Sequence, residues 1–328
     1  MTPPRGRGPG GRGSSGGRGG SGGRGRPGNR SGGQSAGQGG ERAGSARPGT
    51  GRASTGRAST GRASQPGRAT ARIGRTRSAS DGLGGDQVEG RQAVRALLDA
   101  GRRQVRALYL AEAMDPAPVL DEIEELARRR RVRVQYVSRG RIDAIARTDG
   151  PQGVVALAEP LRPVSLDALC EGPTGGGSAF LLVLDGITDP QNLGGLLRSA
   201  ECAGATGVVL PRHRSAHVTP TVTKVAAGAV EYVPMALVPG IPTALRQLTE
   251  RGVWTIGLAA EAPRSFFDLE LAGEPVALVL GSEGSGMSEL ARKRCDVLAA
   301  LPQHGVLGSL NVAAAGTVAC FEIARLRG

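Results

Sequence analysis

Two hydrophobic periods alternate along most of this chain. Residues 90–101 (GRQAVRALLDAG) place Val94, Leu97 and Leu98 on one helical face. Residues 105–112 read as a strand, and Pro118 to Arg130 as a helix whose basic end suits a helix C-terminus. A strand over 132–137, a helix over 138–147 and a strand over 153–159 complete an α-β-α-β-α-β module assigned to residues 85–160. Such a module is large enough to fold alone, with modest stability. Prolines and a glycine run make residues 161–177 a linker with one short helical turn. Beyond it, residues 178–328 return to alternation. Apolar strands at 180–185, 207–211, 233–238, 254–260, 275–281 and Val297–Leu301 are separated by helices. The helices start at Pro190, run from Pro220 to Val230, cover 242–252, and close the chain with a segment rich in small residues. Continuous apolar strands between helices predict an α/β fold with a parallel sheet covered on both faces.

Charge changes the picture at the N-terminus. Residues 1–80 hold sixteen arginines, no lysine and one acid, a net of +15; the whole chain carries +13, so the rest carries −2. Residues 1–84 are Gly, Arg, Ser and Pro, with a G-R-A-S-T repeat from Gly51 and no aromatic. Too few apolar groups are present to offset ordering entropy, so this segment is expected to be a disordered tail. Its guanidiniums suit a sequence-independent RNA tether, although no ring is available for base stacking. A solubilising extension is the other reading. The arginines at 128–131 and Arg133 form the basic block of the remainder, either a solvated helix end or a contact for RNA phosphate.

Cys170, Cys202, Cys295 and Cys320 have no metal-site spacing, and each lies in an apolar or helical context. They read as reduced, buried thiols of a cytoplasmic protein. No apolar run reaches membrane-spanning length, and no signal-peptide core follows Met1. The Arg- and Ser-rich tail lacks the apolar face of a transit peptide. His213, His217 and His304 are scattered, and no metal cluster is expected.

Candidate chemistry gathers in three turns, each after an apolar strand and before a helix: Asp185–Arg198 (DGITDPQNLGGLLR), Gly281–Met287 (GSEGSGM) and Leu301–Ala315 (LPQHGVLGSLNVAAA). Strand ends and helix starts expose backbone amides, which is where an open α/β sheet holds a ligand. A dinucleotide fold is excluded: no G-x-G-x-x-G follows the first strand, and no acid follows at the required distance. Several local roles stay open. Ser309 fits an N-cap, and Asn311 a first-turn polar position. Leu301 and Leu310 fit core packing, Gly281 a tight turn, and Glu283 an exposed turn carboxylate.

At the spacing of Asp189-Pro190, Asn192, Gly194 and Arg198, of Gly281, Glu283 and Gly286, and of Pro302 with Ser309-Leu310-Asn311, the chain resembles the SpoU (TrmH) branch of the SPOUT RNA methyltransferases. The resemblance runs from about Val88 to the C-terminus. It implies a C-terminal trefoil knot, and a small substrate-binding domain ahead of the catalytic one. It implies 2′-O-ribose methylation of RNA with S-adenosyl-L-methionine, the expected target being a guanosine of 23S ribosomal RNA. Transfer RNA or a resistance-type ribosomal target, and a non-catalytic RNA-binding assembly protein, are the alternatives. The resemblance assigns cofactor contacts to Gly281, Leu301 and Leu310, and functional polar roles to Asn192, Arg198, Glu283, Ser309 and Asn311. The resemblance assigns Arg198 to activating the ribose 2′-hydroxyl; because a guanidinium is effectively always protonated, a clamp on the target phosphate that orients the hydroxyl is the favoured role and deprotonation the alternative. Pro151 stands where the ribosomal-RNA branch usually begins its last small-domain segment with His. The resemblance also implies a homodimer, with an apolar stripe of Val312, Ala315, Ala319, Ile323 and Leu326 as the candidate contact.

Overall fold

The computed structural model describes residues 82–172, 176–271 and 273–328. Most of the expected tail, residues 1–81, lies outside the described residues. The remainder builds two sheets. The smaller contains β1 (Gln87–Glu89), β2 (Val105–Ala111), β3 (Val134–Val137) and β4 (Val154–Ala158), with α1 (Arg91–Ala100), α2 (Pro118–Arg129) and α3 (Arg139–Ile145) between them. Its order is β1-β4-β2-β3; β2 and β3 run parallel, and β4 runs antiparallel to both its neighbours. The expected face of α1 is buried, joining Leu108, Leu110 and Ile123 in one core, and Gly101 ends the helix in the left-handed region. The three residues of β1 are too few to show a period, and the sequence reading omits this strand.

The larger sheet is fully parallel, with order β10-β8-β9-β5-β6-β7. Its strands are β5 (Phe180–Asp185), β6 (Gly207–Pro211), β7 (Met235–Val238), β8 (Trp254–Leu258), β9 (Val276–Gly281) and β10 (Val297–Ala299). A short α4 (Leu166–Cys170) lies in the linker. Between and after the strands come α5 (Pro190–Cys202), α6 (Pro220–Val225), α7 (Ile241–Glu250), α8 (Glu289–Arg294) and α9 (Val312–Arg327). On β5, Phe180, Leu182 and Leu184 enter one core while Leu181 and Val183 enter the other. Side chains alternate across a strand, so a strand buried on both faces must be apolar throughout. Each such residue contributes about 1.5–3 kcal/mol by leaving water.

Three expectations are corrected. The helix expected over Pro220–Val230 stops at Val225, because Ala227 and Gly228 take positive φ of 49° and 87°. Gly228 lies against α1, where a Cβ would come within 2.3 Å of the Ala96 Cβ. The chain is broken at a contact between the two modules. The boundary at residue 84 falls inside the folded part: Leu83 is buried in the core of the large sheet, and Gly84 bridges Val218. The stripe proposed as a dimer contact instead packs on the protein's own core, with Ala319 and Ile323 fully buried. The outward face of α9 carries Val318 and Phe321, both exposed.

After the break at Gly228, a 3-10 turn (Ala229–Glu231) presents Glu231 to Arg103 of the small module. The guanidinium Nε and Nη2 donate to the two carboxylate oxygens at 2.9 and 2.5 Å. Its Nη1 donates to the backbone oxygens of Gly85 and Glu159. Only 6% and 1% of the two side chains are exposed. This bidentate pair, with Tyr232 donating to Asp99 at 2.8 Å, fixes the small module on the large one. Among the described residues no helix is long and apolar enough to cross a membrane.

Candidate functional site

Chain order reverses between β5 and β9, and the C-terminal ends of β5, β9, β8 and β10 lie side by side. That switch point is where a parallel sheet leaves a crevice. A cavity of about 550 Å³ lies beside it, at the ends of β8 and β9 and the loop after β10, within the usual size of small-molecule sites. Gly281, Glu283, Leu301, Ser309, Leu310 and Asn311 all line it.

The polar network beside the cavity begins at α5. Asp189 caps the helix by accepting from the Gln191 N–H at 2.6 Å, and Pro190 occupies the first turn, where no N–H is needed. This places Asn192, 7% exposed, on the inner side of the first turn. Its Nδ2 donates to Glu283 Oε2 at 2.9 Å, and its Oδ1 accepts from Asn311 Nδ2 at 2.9 Å. Asn311 Nδ2 also donates to Glu283 Oε2 at 3.3 Å, closing a three-residue ring. The Asn311 Oδ1 accepts from the Ala313 and Ala314 N–H groups at 2.9 and 3.2 Å. Asn311 is therefore the N-cap of α9, and Ser309 stands free in the exposed loop before it. The cap expected at Ser309 therefore falls two residues later, at Asn311, and Ser309 lies outside the helix. The ring ties together the three sequence turns.

Gly281 is required by a close approach. A Cβ there would lie 1.9 Å from the Met287 nitrogen and 2.0 Å from the Gly286 carbonyl carbon. The turn folds back on itself, with the Ser282 and Gly286 backbones exchanging bonds of 3.0 and 2.9 Å. Asp185, at the end of β5, holds the far side of this turn by accepting from the Ser288 N–H at 2.8 Å. Leu301 is 7% exposed and Leu310 is 47% exposed, so the first packs as core while the second offers an apolar face to the cavity.

Arg198 is apart from this group. It is exposed on α5, two turns beyond Asn192, and does not line the cavity. The sequence reading missed Glu261 and Arg292, an ion pair on the cavity lining. A hydrogen bond from its own backbone N–H, and then Arg292, hold the Glu261 carboxyl below the usual range. The signal available was position, since Glu261 follows the end of β8. Of the cysteines, Cys320 is buried and Cys202 is exposed, which corrects the expectation of four buried thiols. Burial raises Cys295 and Cys320 to about 12, so neither is a nucleophile at neutral pH. Pro151 is buried, and His304 is exposed in the loop after β10. No group of His, Cys, Asp or Glu among the described residues can hold a metal ion.

The cavity thus offers backbone edges, apolar walls and a fixed amide–carboxylate ring. Such a lining can hold and orient a small molecule with both apolar and polar parts. Residues 179–321 match the SpoU rRNA Methylase family, and residues 87–164 match the family of RNA 2′-O ribose methyltransferase substrate binding domains. The 23S rRNA (guanosine-2′-O-)-methyltransferase RlmB of Ralstonia nicotianae is 43% identical, over 73% of this chain and 94% of that protein. The protein of the same name from Photobacterium profundum is 36% identical, over 75% of this chain and 99% of its own. The crystal structure of an AdoMet-bound rRNA methyltransferase from Sinorhizobium meliloti aligns with a TM-score of 0.60 at 26% identity, covering 73% of this chain and 86% of that one. A parallel sheet with its cavity at the ends of β8 and β9, joined to a small mixed sheet, therefore comes with a sequence match across both parts: the chain belongs to the SpoU rRNA methylase family.

Proposed function

We propose that this protein is an S-adenosyl-L-methionine-dependent RNA 2′-O-ribose methyltransferase acting on a guanosine of 23S ribosomal RNA in the cytoplasm. The observation that carries the reading is the Asn192–Glu283–Asn311 ring beside the glycine turn, which joins all three turns at one cavity. The residues fit the cofactor. The cavity has the volume, Gly281 keeps the space beside the turn free of a side chain, and Leu301 and Leu310 supply apolar walls. S-adenosyl-L-methionine supplies a methyl group on a sulfonium, an electrophile that needs alignment more than covalent assistance. Backbone groups around Gly281 and Leu301, with Leu310, hold the cofactor. The ring keeps Ser309 and the loop before α9 at the mouth.

Arg198 works on the RNA side, which fits its place outside the cavity. Its guanidinium clamps a phosphate beside the target ribose, orients the 2′-hydroxyl and stabilises the negative charge growing on that oxygen. Residues 85–160 bind the RNA, residues 178–328 carry out the transfer, and residues 161–177 link them. The trefoil knot at the C-terminus belongs to the same reading, supported by the close packing of α9 at Gly316, where a Cβ would sit 2.3 Å from Leu196. So does a homodimer, now through the outward face of α9, which exposes Val318 and Phe321 on a helix packed against the one that bears Arg198. Sedimentation of a monomer at micromolar concentration would remove the dimer.

Arg198→Ala tests the assignment. Cofactor affinity by calorimetry should be unchanged. Single-turnover methylation of 23S RNA should fall by about 3–4 kcal/mol, on the order of a hundred- to a thousandfold. Arg198→Lys should recover little, because a point charge replaces a bidentate fork. Lost cofactor binding with an intact chemical step would overturn the role of Arg198. Unchanged ribose methylation of 23S RNA from cells lacking the protein would overturn the target.

A further inference from the structure

A second concavity lies away from the cofactor cavity, on the small module where it meets the linker. It has a volume of about 420 Å³, and five arginines line it: Arg102, Arg103, Arg130, Arg131 and Arg162. Glu159 is the one carboxylate on its lining. The five differ in what holds them. Arg103 is neutralised by Glu231 and forms a fixed part of the wall. Arg130 donates to the backbone oxygens of Leu98 and Asp99 at 3.0 and 2.7 Å, and Arg102 donates to the Tyr232 oxygen at 2.9 Å. These two are oriented by carbonyls at the end of α1 and beyond α6, so they are positioned while keeping their charge. Arg131, in the left-handed region with φ 56°, makes no ion pair among the described residues. Arg162 makes one exposed contact, to Glu159 at 3.3 Å.

The run at 128–131 is therefore divided. Arg128 and Arg129 turn to Glu125 on their own helix, while Arg130 and Arg131 enter the cleft. Counting Glu159 and Glu231 against the five arginines leaves a local charge of +3. Guanidiniums already oriented by backbone oxygens lose little entropy in binding an anion, and their forks match phosphate geometry. Residues 1–80 carry +15 and so offer the cleft no complementary charge.

We propose that this cleft docks the phosphodiester backbone of the RNA substrate, at a site separate from the one that holds the cofactor. The inference rests on the proposed function for its ligand class, and it adds the place and the residues. Docking here engages the part of the small module that Arg103 and Glu231 fix to the large one, so RNA held at the cleft is held relative to the cavity.

The test measures binding of a labelled 23S RNA fragment to the full chain across a salt series. Arg131→Ala/Arg162→Ala removes two exposed charges that support no core contact. It should weaken binding on the order of tenfold at moderate salt and reduce the slope of log K against log salt by roughly 1.4–1.8. Cofactor affinity should stay constant. Glu159→Gln, a separate variant with the opposite sign, should tighten binding. The N-terminal segment contributes equally to every variant, so it cancels from the comparison. An unchanged slope in the double variant, with wild-type protein that methylates RNA, overturns the cleft and leaves the proposed function standing. Wild-type protein that neither binds nor methylates RNA overturns both. Saturation by inorganic phosphate with no effect on RNA binding marks a small-anion site and overturns the RNA assignment.

Discussion

Two carboxylates in this molecule organise hydrogen-bond networks, and they do so in opposite ways. Glu89, on β1 of the small module, is fully buried. It accepts from Gln87 Nε2 at 2.7 Å, from the Arg147 and Thr148 N–H groups at 2.6 and 3.1 Å, and from Thr148 Oγ1 at 2.5 Å. Both oxygens are spent, and the loop after α3 is tied to the sheet. Glu283 is exposed at a turn, and both of its donors, Asn192 and Asn311, meet at a single oxygen. The other oxygen takes no hydrogen bond from the described residues. A saturated network holds a fold together. An incomplete one beside a cavity keeps capacity for a ligand or a partner group.

The largest test of that contrast is Glu89→Ala. It removes an acceptor from the buried Gln87 amide and from the half-buried to exposed Thr148 and Arg147 N–H groups, each costing about 1 kcal/mol, so denaturant unfolding should show a loss of about 2–3 kcal/mol. The protein that remains folded should bind cofactor normally. Glu283→Ala should do the reverse, keeping unfolding free energy within about 1 kcal/mol while methylation falls on the order of a hundredfold. If Glu283→Ala proves the more destabilising, the two networks have the same role and the contrast fails. The smallest effect separates the two tasks of Asn311. Asn311→Ala should cost about 1 kcal/mol of stability through loss of the cap, as well as activity. Asn311→Ser restores a capping oxygen but cannot reach Asn192 and Glu283, so stability should return in melting experiments while single-turnover rates do not.

The large sheet was legible because β5 and β9 are buried on both faces and must be apolar without interruption. β1 was not, since its three residues owe their state to pairing with β4. The break at Ala227 and Gly228 is imposed by α1, more than a hundred residues earlier in the chain, and no local pattern carries it. Leu83 was read as tail because one leucine after a long polar stretch has no period; its burial depends on the strand pairing of Gly84 with Val218. At the site, the three turns singled out by the motifs meet in one hydrogen-bonded ring. Ser309 and Asn311 are both sound caps, and the choice between them depends on Asn192 across the cavity. In α9 the small and apolar residues occupy every face, so its inward stripe and its outward one could not be told apart by spacing. The arginines at 128–131 looked uniform, and their division follows from where Glu125 and the end of α1 lie.

Asn311 also bears on how the site assembles. Its ring partners lie 119 and 28 residues away in the chain, and Arg327, in the last turn of the same helix, donates to the Ser178, Ala179 and Glu274 oxygens at the start of β5 and β9. The small module and the pairing of β5 to β9 do not depend on α9, whereas the amide–carboxylate ring cannot close until that helix docks. A nearly complete fold can therefore lack the site, and the docking of one helix is what creates it.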